Sequence, residues 1–369
     1  MTNKPKKVLL KGNEIMCEAA IQAGCRFFAG YPITPQNEVP EYMSWRMPEA
    51  GGTFIQAESE IAAINMLFGV SAAGCRCMTS SSSPGISLKQ EGISYIAAGE
   101  LPCVIANMQR GGPGLGNIRA AQADYFQAVK GGGHGDYRTI VLAPSTLPEL
   151  YELTMNAFDY ADFYRNPVLI LGDGILGQMA EPVELKPYRP VLEPPEKDYI
   201  VDGCAGRQPR IVKTLHLIPV MALMEHNLHL KEKYKRISIE LKLAEQVKTN
   251  DAELVIAAYG ITARAAKGAV KTAREKGMKV GLIRPITLWP FPREAFEQLA
   301  ETADRFLVVE MSNGQFIEDV KLATQCRKPV KFLGAGGGWY PTAENIFEKI
   351  RAVYGKCTDS STAERLEVV

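Results

Sequence analysis

The sequence predicts an α/β protein built from two doubly wound parallel-sheet domains joined by an extended linker. Three observations carry this. Short, nearly continuous apolar runs alternate with amphipathic stretches through the first half and again beyond residue 250, and runs apolar throughout belong to parallel strands buried on both faces. A proline-rich stretch, "EPVELKPYRPVLEPPEKDY" (181–199), separates the two blocks. At 369 residues the chain exceeds a typical single domain and suits two.

In chain order, strands are expected at "RFFAG" (26–30), "TFIQA" (53–57), "RCMTS" (76–80), "PCVIANM" (102–108), "RTIVLAP" (138–144) and "NPVLILGD" (166–173). Helices are expected at "ESEIAAINMLFGVSAAG" (58–74) and "TLPELYELTMNAFDYADFY" (146–164), which closes a first domain over 1–180. Residues 181–250 are expected to form a linker strapped across the surface, with a helical segment in "IPVMALMEHNLHLKEKYKRISIELKLAEQ" (218–246). Alternation resumes in "ELVIAAYG" (253–260), "KVGLIRP" (279–285), "RFLVVEM" (305–311) and "VKFLGAG" (330–336), a second domain over 251–355. Residues 356–369 are expected as a polar tail.

Charge is balanced, 42 basic against 41 acidic residues, which argues against nucleic acid or an anionic membrane as the main partner. The start "MTNKPKKVLLKGNEIMCEAA" is too polar for a signal or a membrane span, so a cytoplasmic location is expected. The eight cysteines are scattered, and Cys75-Arg-Cys77, the one close pair, lacks the repeated spacing of a zinc or iron–sulfur site. No metal site is expected in this chain.

Functional candidates sit where apolar runs end, because open α/β sheets bind ligands beyond the carboxyl ends of their strands. "GYPITPQN" (30–37) stops hard after a strand. Thr34 is expected to cap a helix opening at Pro35, which Pro40 shortens or kinks, so that hydroxyl and helix end face an anion. In "ESEIAAI" (58–64), Glu60 stands where an apolar helix begins, with Glu58 a rival better explained as a surface capping acid. Buried there, a carboxyl can share a proton with a ligand nitrogen. "TSSSSPG" (79–85) offers four serine hydroxyls beside Thr79, but none of the four histidines is placed to serve as base, and a tight turn approaching a ligand is favoured.

Arg110, beside the glycines of "QRGGPG" (109–114), suits a carboxylate clamp. Neither this loop nor "GAGGGWYP" (334–341) completes a dinucleotide fingerprint, which disfavours a nicotinamide dehydrogenase. His134 and Asp136 read as loop residues, and His226 with His229 as a solvated helix face. "LGDGILGQ" (171–178) opens like a thiamine-diphosphate metal motif, but no asparagine occurs between Asn166 and Asn227 to complete it.

Together, "GYPITP", "ESEIAAI", "SSSPGISL", "EGISYIAAGELP" and "QRGGPG" resemble the α subunit of 2-oxoacid:ferredoxin oxidoreductases, with "EMSNGQ" (310–315) extending the match into the second domain. "GGGHGDYRTIVLAP" and "RNPVLIL" look most like the branched-chain (2-oxoisovalerate) members and less like the 2-oxoglutarate ones. The resemblance implies a thiamine pyrimidine-binding-like first domain and a transketolase C-terminal-like second. It implies thiamine diphosphate shared with a β subunit that supplies the Mg²⁺ half-site, 4Fe–4S clusters on partner subunits (β, and a ferredoxin-like δ in complexes that also carry a γ), ferredoxin as acceptor and coenzyme A as co-substrate. By the same resemblance, Glu60 meets N1′ of the aminopyrimidine while Thr34 and Arg110 hold the substrate carboxylate. Tyr31, Pro32, Ile33, Ser83 and Gly85 then line the cofactor, although Ser83 stands where many members carry glycine. The competing expectations are a 2-oxoglutarate:ferredoxin oxidoreductase α subunit and a non-catalytic structural subunit of such a complex.

Overall fold

A computed structural model describes residues 7–354, so the tail expected over 356–369 lies outside the described residues. The first block comprises β1 (Lys7–Lys11), α1 (Gly12–Gln22), β2 (Phe27–Gly30), α2 (Glu38–Glu49), β3 (Thr53–Gln56), α3 (Glu60–Ala72), β4 (Cys77–Ser81) and α4 (Ser83–Ala98). It continues through β5 (Val104–Gln109), α5 (Tyr125–Lys130), β6 (Ile140–Leu142), α6 (Leu147–Tyr164), β7 (Val168–Asp173), α7 (Gly174–Gln178) and β8 (Ala180–Glu184). Beyond an extended stretch come α8 (Ala222–Glu240), β9 (Ala244–Val247), β10 (Leu254–Ala257), α9 (Gly260–Glu275), β11 (Val280–Pro285) and β12 (Thr287–Trp289). The chain closes with α10 (Arg293–Thr302), β13 (Arg305–Glu310), α11 (Phe316–Ala323), β14 (Val330–Gly334) and α12 (Ala343–Tyr354). Among the described residues, no helix is long and apolar enough to cross a membrane.

Two large sheets result. The first runs β12-β6-β7-β5-β4-β2-β3 and the second β14-β13-β10-β11-β9. Both are parallel except at one edge each, where β12 opposes β6 and β9 opposes β11. Strands β4, β5, β6, β7 and β10 are buried along their whole length, as strands covered on both faces must be. One face of the first sheet packs Ile15 and Met16 of α1, Val39 and Met43 of α2 and Leu150 of α6. On the other face, Ile64 and Leu67 of α3 and Ile86 and Ile93 of α4 form a core that continues into the second domain through Tyr125, Tyr259 and Phe316.

Four short strands depart from the sequence expectation. β1 pairs with β8 as a separate antiparallel ribbon. β9 lies within the stretch expected as linker, so the second sheet begins before residue 251, and β12 leaves the second domain to extend the first sheet. All four are short and lie at an edge or in a two-stranded ribbon, and only β12 is mostly buried. Such segments need no apolar run and give little periodicity to read. The stretch before α8 does strap the surface. The Val201 N–H donates to the Ala72 carbonyl (2.8 Å), Lys197 Nζ to that of Gly74 (3.0 Å), and the Arg165 guanidinium stacks over Tyr199.

The domains meet at the carboxyl ends of their strands. Gln122 spans the joint: its Nε2 donates to the Tyr259 carbonyl (2.9 Å) and its Oε1 accepts the Met311 N–H (3.1 Å). Asp173, at the end of β7, caps α7 by accepting from the N–H groups of Ile175 (2.9 Å) and Leu176 (3.1 Å), and it also takes the Ile261 N–H from the first turn of α9. Burial pushes this carboxyl up to about 6 against those three bonds. Because the folded value lies above the unfolded one, the linked stabilisation is fully present below about pH 4 and is lost as pH rises through about 6. Asp173→Asn keeps an acceptor and removes the charge. Chemical denaturation should therefore find it more stable than the parent at pH 8, by about 2–3 kcal/mol, with the advantage gone at pH 4.

Candidate functional site

β2, β4 and β5 bring their carboxyl ends side by side at one edge of the first sheet. Glu60 joins them from the first turn of α3, where Ser59 caps the helix by accepting the Ala62 N–H (3.1 Å). The side chain is buried (5% exposed), whereas Glu58 is exposed, which separates the two rival carboxyls. Ser81 Oγ, at the end of β4, donates to Glu60 Oε1 (3.3 Å). Gly85 makes this packing possible: a Cβ there would lie 2.4 Å from Glu60 Oε1 and 2.0 Å from Ser81 Oγ.

The run of hydroxyls divides between the faces of the sheet, as period-two alternation requires. Thr79 and Ser81 face α3 and α4, while Ser80 points the other way and donates to Gln36 Oε1 (2.5 Å). Ser83, expected to line a ligand, is engaged within the protein. Its Oγ lies 2.6 Å from Asp124 Oδ2 and accepts the Arg110 N–H (3.0 Å), and Asn107 Nδ2 donates to the same carboxyl oxygen (2.9 Å). Burial raises the Asp124 carboxyl above its ordinary range. This cluster fastens the start of α4 to the end of β5, and sequence reasoning missed Asn107 and Asp124 because a β5 side chain and the residue before α5 meet only in the fold.

Thr34 does not cap a helix. α2 begins four residues later, after Asn37, and the Thr34 hydroxyl accepts from Asn37 Nδ2 (3.3 Å). The physical reason is Pro35, which is wedged against Gly174 while its carbonyl accepts from Asn13 Nδ2 (3.0 Å) and Gln178 Nε2 (2.7 Å). Held on three sides, it cannot open a helix. Pro40 neither shortens nor kinks α2, because it falls in the first turn, where its missing N–H costs no helical bond.

Thr34 and Arg110 do meet, through the backbone. Arg110 Nη1 donates to the Thr34 carbonyl (2.9 Å) and Nη2 to that of Leu115 (3.1 Å), while the buried Nε has no partner. The guanidinium thus ties the proline turn to the glycine loop and keeps one buried donor uncommitted. The loop folds back as Asn117 N–H donates to the Gly111 carbonyl (2.9 Å), and Gly116 requires its glycine, at φ +56° with the Gly111 carbonyl oxygen 1.7 Å from any Cβ. The elements that carry these residues also expose apolar side chains: Tyr31, Ile61, Leu88, Leu115 (82% exposed) and Ile118 (64%). Pro32 is exposed and Ile33 half-buried on the same turn.

The remaining candidates lie elsewhere. His134 and Asp136 sit on an exposed loop leading into the amino end of β6, the opposite edge of the sheet. His226 contacts the Ala98 carbonyl and His229 contacts Glu100, each at 2.9 Å. Among the described residues, no three His, Cys, Asp or Glu side chains gather closely enough to hold a metal ion. Gly85→Ala should displace Glu60 and lower stability by about 1–3 kcal/mol. Gly69→Ala, on the same pair of helices with nothing within 4 Å of the added Cβ, should be neutral or gain about 0.5–1 kcal/mol, as read by thermal melting.

Comparison with known proteins places this geometry in context. Residues 18–250 match the family "pyruvate flavodoxin/ferredoxin oxidoreductase, thiamine diP-bdg", and residues 252–346 match "pyruvate:ferredoxin oxidoreductase core domain II". The ketoisovalerate oxidoreductase subunit VorB of Methanothermobacter marburgensis is 50% identical over 351 residues, 95% of this chain and 99% of that protein. The 2-oxoglutarate synthase subunit KorA of Archaeoglobus fulgidus is 39% identical over 331 residues, 89% of this chain and 94% of that protein. Among solved structures, the 2-oxoglutarate:ferredoxin oxidoreductase from Magnetococcus marinus, with 2-oxoglutarate, coenzyme A and succinyl-CoA bound, superposes with a TM-score of 0.84 at 26% identity. That match covers 94% of this chain, which spans 65% of the other. A split-gene transketolase (TM-score 0.58, 14% identity) shares the fold.

Proposed function

The chain belongs to the 2-oxoacid:ferredoxin oxidoreductase family, and from that membership we propose that it is the subunit holding the pyrimidine half of a thiamine-diphosphate site that oxidatively decarboxylates branched-chain 2-oxoacids. The observation that carries the reading is the buried Glu60 carboxyl, packed against Gly85 and Ser81 at the carboxyl edge of the first sheet. The reaction converts a 2-oxoacid, coenzyme A and two oxidised ferredoxins to an acyl-CoA, CO₂, a proton and two reduced ferredoxins. Two proteins named ketoisovalerate oxidoreductase subunits, 50% and 49% identical to this chain against 39% for a 2-oxoglutarate synthase subunit, support a branched side chain.

The residues present fit half a cofactor. Glu60 holds or passes a proton at a ring nitrogen; the absent Cβ at Gly85 leaves its carboxyl room; and Tyr31, Pro32 and Ile33 line the turn above. Arg110 Nε, buried without a partner, and the Thr34 hydroxyl are donors placed for the carboxylate of the 2-oxoacid. Thiamine diphosphate, when bound, supplies the nucleophilic carbon and the electron sink. The diphosphate, its Mg²⁺ and the 4Fe–4S clusters are assigned to partner subunits: a β subunit seated on the exposed apolar side chains of these elements, with γ and ferredoxin-like δ subunits beyond. In support, the Asp173 carboxylate, the one acid in the "GDG" segment, is spent on two helix ends. Exposed apolar side chains on the elements that carry the site are what a partner surface requires.

The test is a panel of 2-oxoacids given to the co-expressed complex with coenzyme A and a viologen acceptor. Dye reduction should be fastest with 3-methyl-2-oxobutanoate. Preference for 2-oxoglutarate overturns the substrate assignment, and reduction with none of them makes the chain a structural subunit. Within the same complex, Arg110→Ala should lower kcat/KM by about 2–4 kcal/mol in transition-state terms, with KM rising, while Glu60→Gln should assemble normally and lose exchange of the cofactor C2 proton, followed by NMR.

A further inference from the structure

Lys89 is fully buried, and the mechanism above does not use it. It lies one turn along α4 from Gly85, on the face that packs against α3; Gly92, one turn further, lies so close to Ile64 that a Cβ would fall 2.5 Å from its Cγ2. Its Nζ donates to two neutral oxygens, the Glu60 carbonyl (3.3 Å) and Thr79 Oγ1 (3.1 Å). Among the described residues, no carboxylate oxygen lies within ion-pair distance of it. A methionine would fill the same volume without removing a charge from water, so packing alone does not explain a lysine here.

We propose that Lys89 is a positioning residue for the proton on Glu60: its ammonium, held beneath the first turn of α3, favours the ionised carboxyl and so drives a proton from Glu60 onto the ring nitrogen it meets. The destination of that proton rests on the functional reading above; the coupling between the two side chains does not. From α3 the ammonium meets the Glu60 backbone carbonyl and from β4 the neutral Thr79 hydroxyl, two residues from the Ser81 that holds the Glu60 carboxyl, and Glu60 is the titratable neighbour that bears on its charge. Burial brings the ammonium down to about 8, and Glu60 opposes this. The assistance is therefore present at neutral pH and is lost as pH rises through about 8.

Infrared difference titration of the cofactor-free complex reads the coupling directly, with the protonated-carboxyl band of Glu60 assigned by its loss in Glu60→Gln. In Lys89→Met this band should persist to higher pH than in the parent. With thiamine diphosphate bound, exchange of its C2 proton should slow about tenfold or more at pH 7. That rate should also lose the fall that the parent shows above about pH 8. Thr79→Val, which removes one of the two acceptors, should shift the band in the same direction by less, and it serves if Lys89→Met fails to assemble. A Glu60 band that titrates identically in parent and variants overturns the proposal. A parent complex that takes up no thiamine diphosphate overturns the functional reading instead, while the infrared arm still decides whether Lys89 governs the Glu60 proton.

Discussion

The site depends on one close approach. Helix α4 passes the start of α3 so tightly that position 85 has no room for a Cβ, and the space saved holds the Glu60 carboxyl and the Ser81 hydroxyl. Glycine near a helix start costs conformational entropy, and the exchange is an acid kept out of water at the edge of the sheet. The neighbouring elements maintain that spacing. Asp124 and Asn107 fasten the start of α4 to β5, and Lys89 fastens α4 to the backbone of Glu60.

A second constraint ties this edge of the sheet to the other domain. The segment from Arg110 to Asp124 leaves the end of β5, reaches the Gly337 carbonyl through Asn117 Nδ2 (3.0 Å), and returns through Gln122 at the ends of β10 and β13. Glu310 closes the far side by accepting N–H groups from Gln315, Phe316 and Ile317 at the start of α11, while Gln315 Nε2 donates to the Ala123 carbonyl (2.7 Å). Movement between the domains therefore bears on the loop whose first residue, Arg110, holds the Thr34 turn. The Thr34 turn and the packing between domains share one set of hydrogen bonds.

Much of this was legible in the sequence. The buried parallel strands announced themselves as apolar runs, and the carboxyl-end rule placed Glu60, Arg110 and the proline turn at one edge of one sheet. What escaped is informative. Thr34 looked like a cap because threonine before proline usually is one; Pro35 is instead immobilised by Asn13, Gln178 and Gly174, partners 22 to 143 residues distant. Ser83 looked like a pocket residue, but Asp124 takes its hydroxyl. Lys89 carried no signal, since a lysine in an amphipathic helix reads as solvated until two neighbouring elements bury it. The edge strands β1, β8, β9 and β12 escaped because length and period, the features that mark a strand, are weakest where pairing is one-sided.

The central claim is that this chain contributes the pyrimidine half of a thiamine pocket. A structure of the assembled complex with thiamine diphosphate and a 2-oxoacid bound tests it most directly. The account requires a Glu60 carboxyl oxygen about 3 Å from the ring N1′, with the oxoacid carboxylate beside Arg110 and Thr34. A cofactor ring lodged away from α3, or a carboxylate held by other residues while Arg110 stays bound to backbone carbonyls alone, contradicts it.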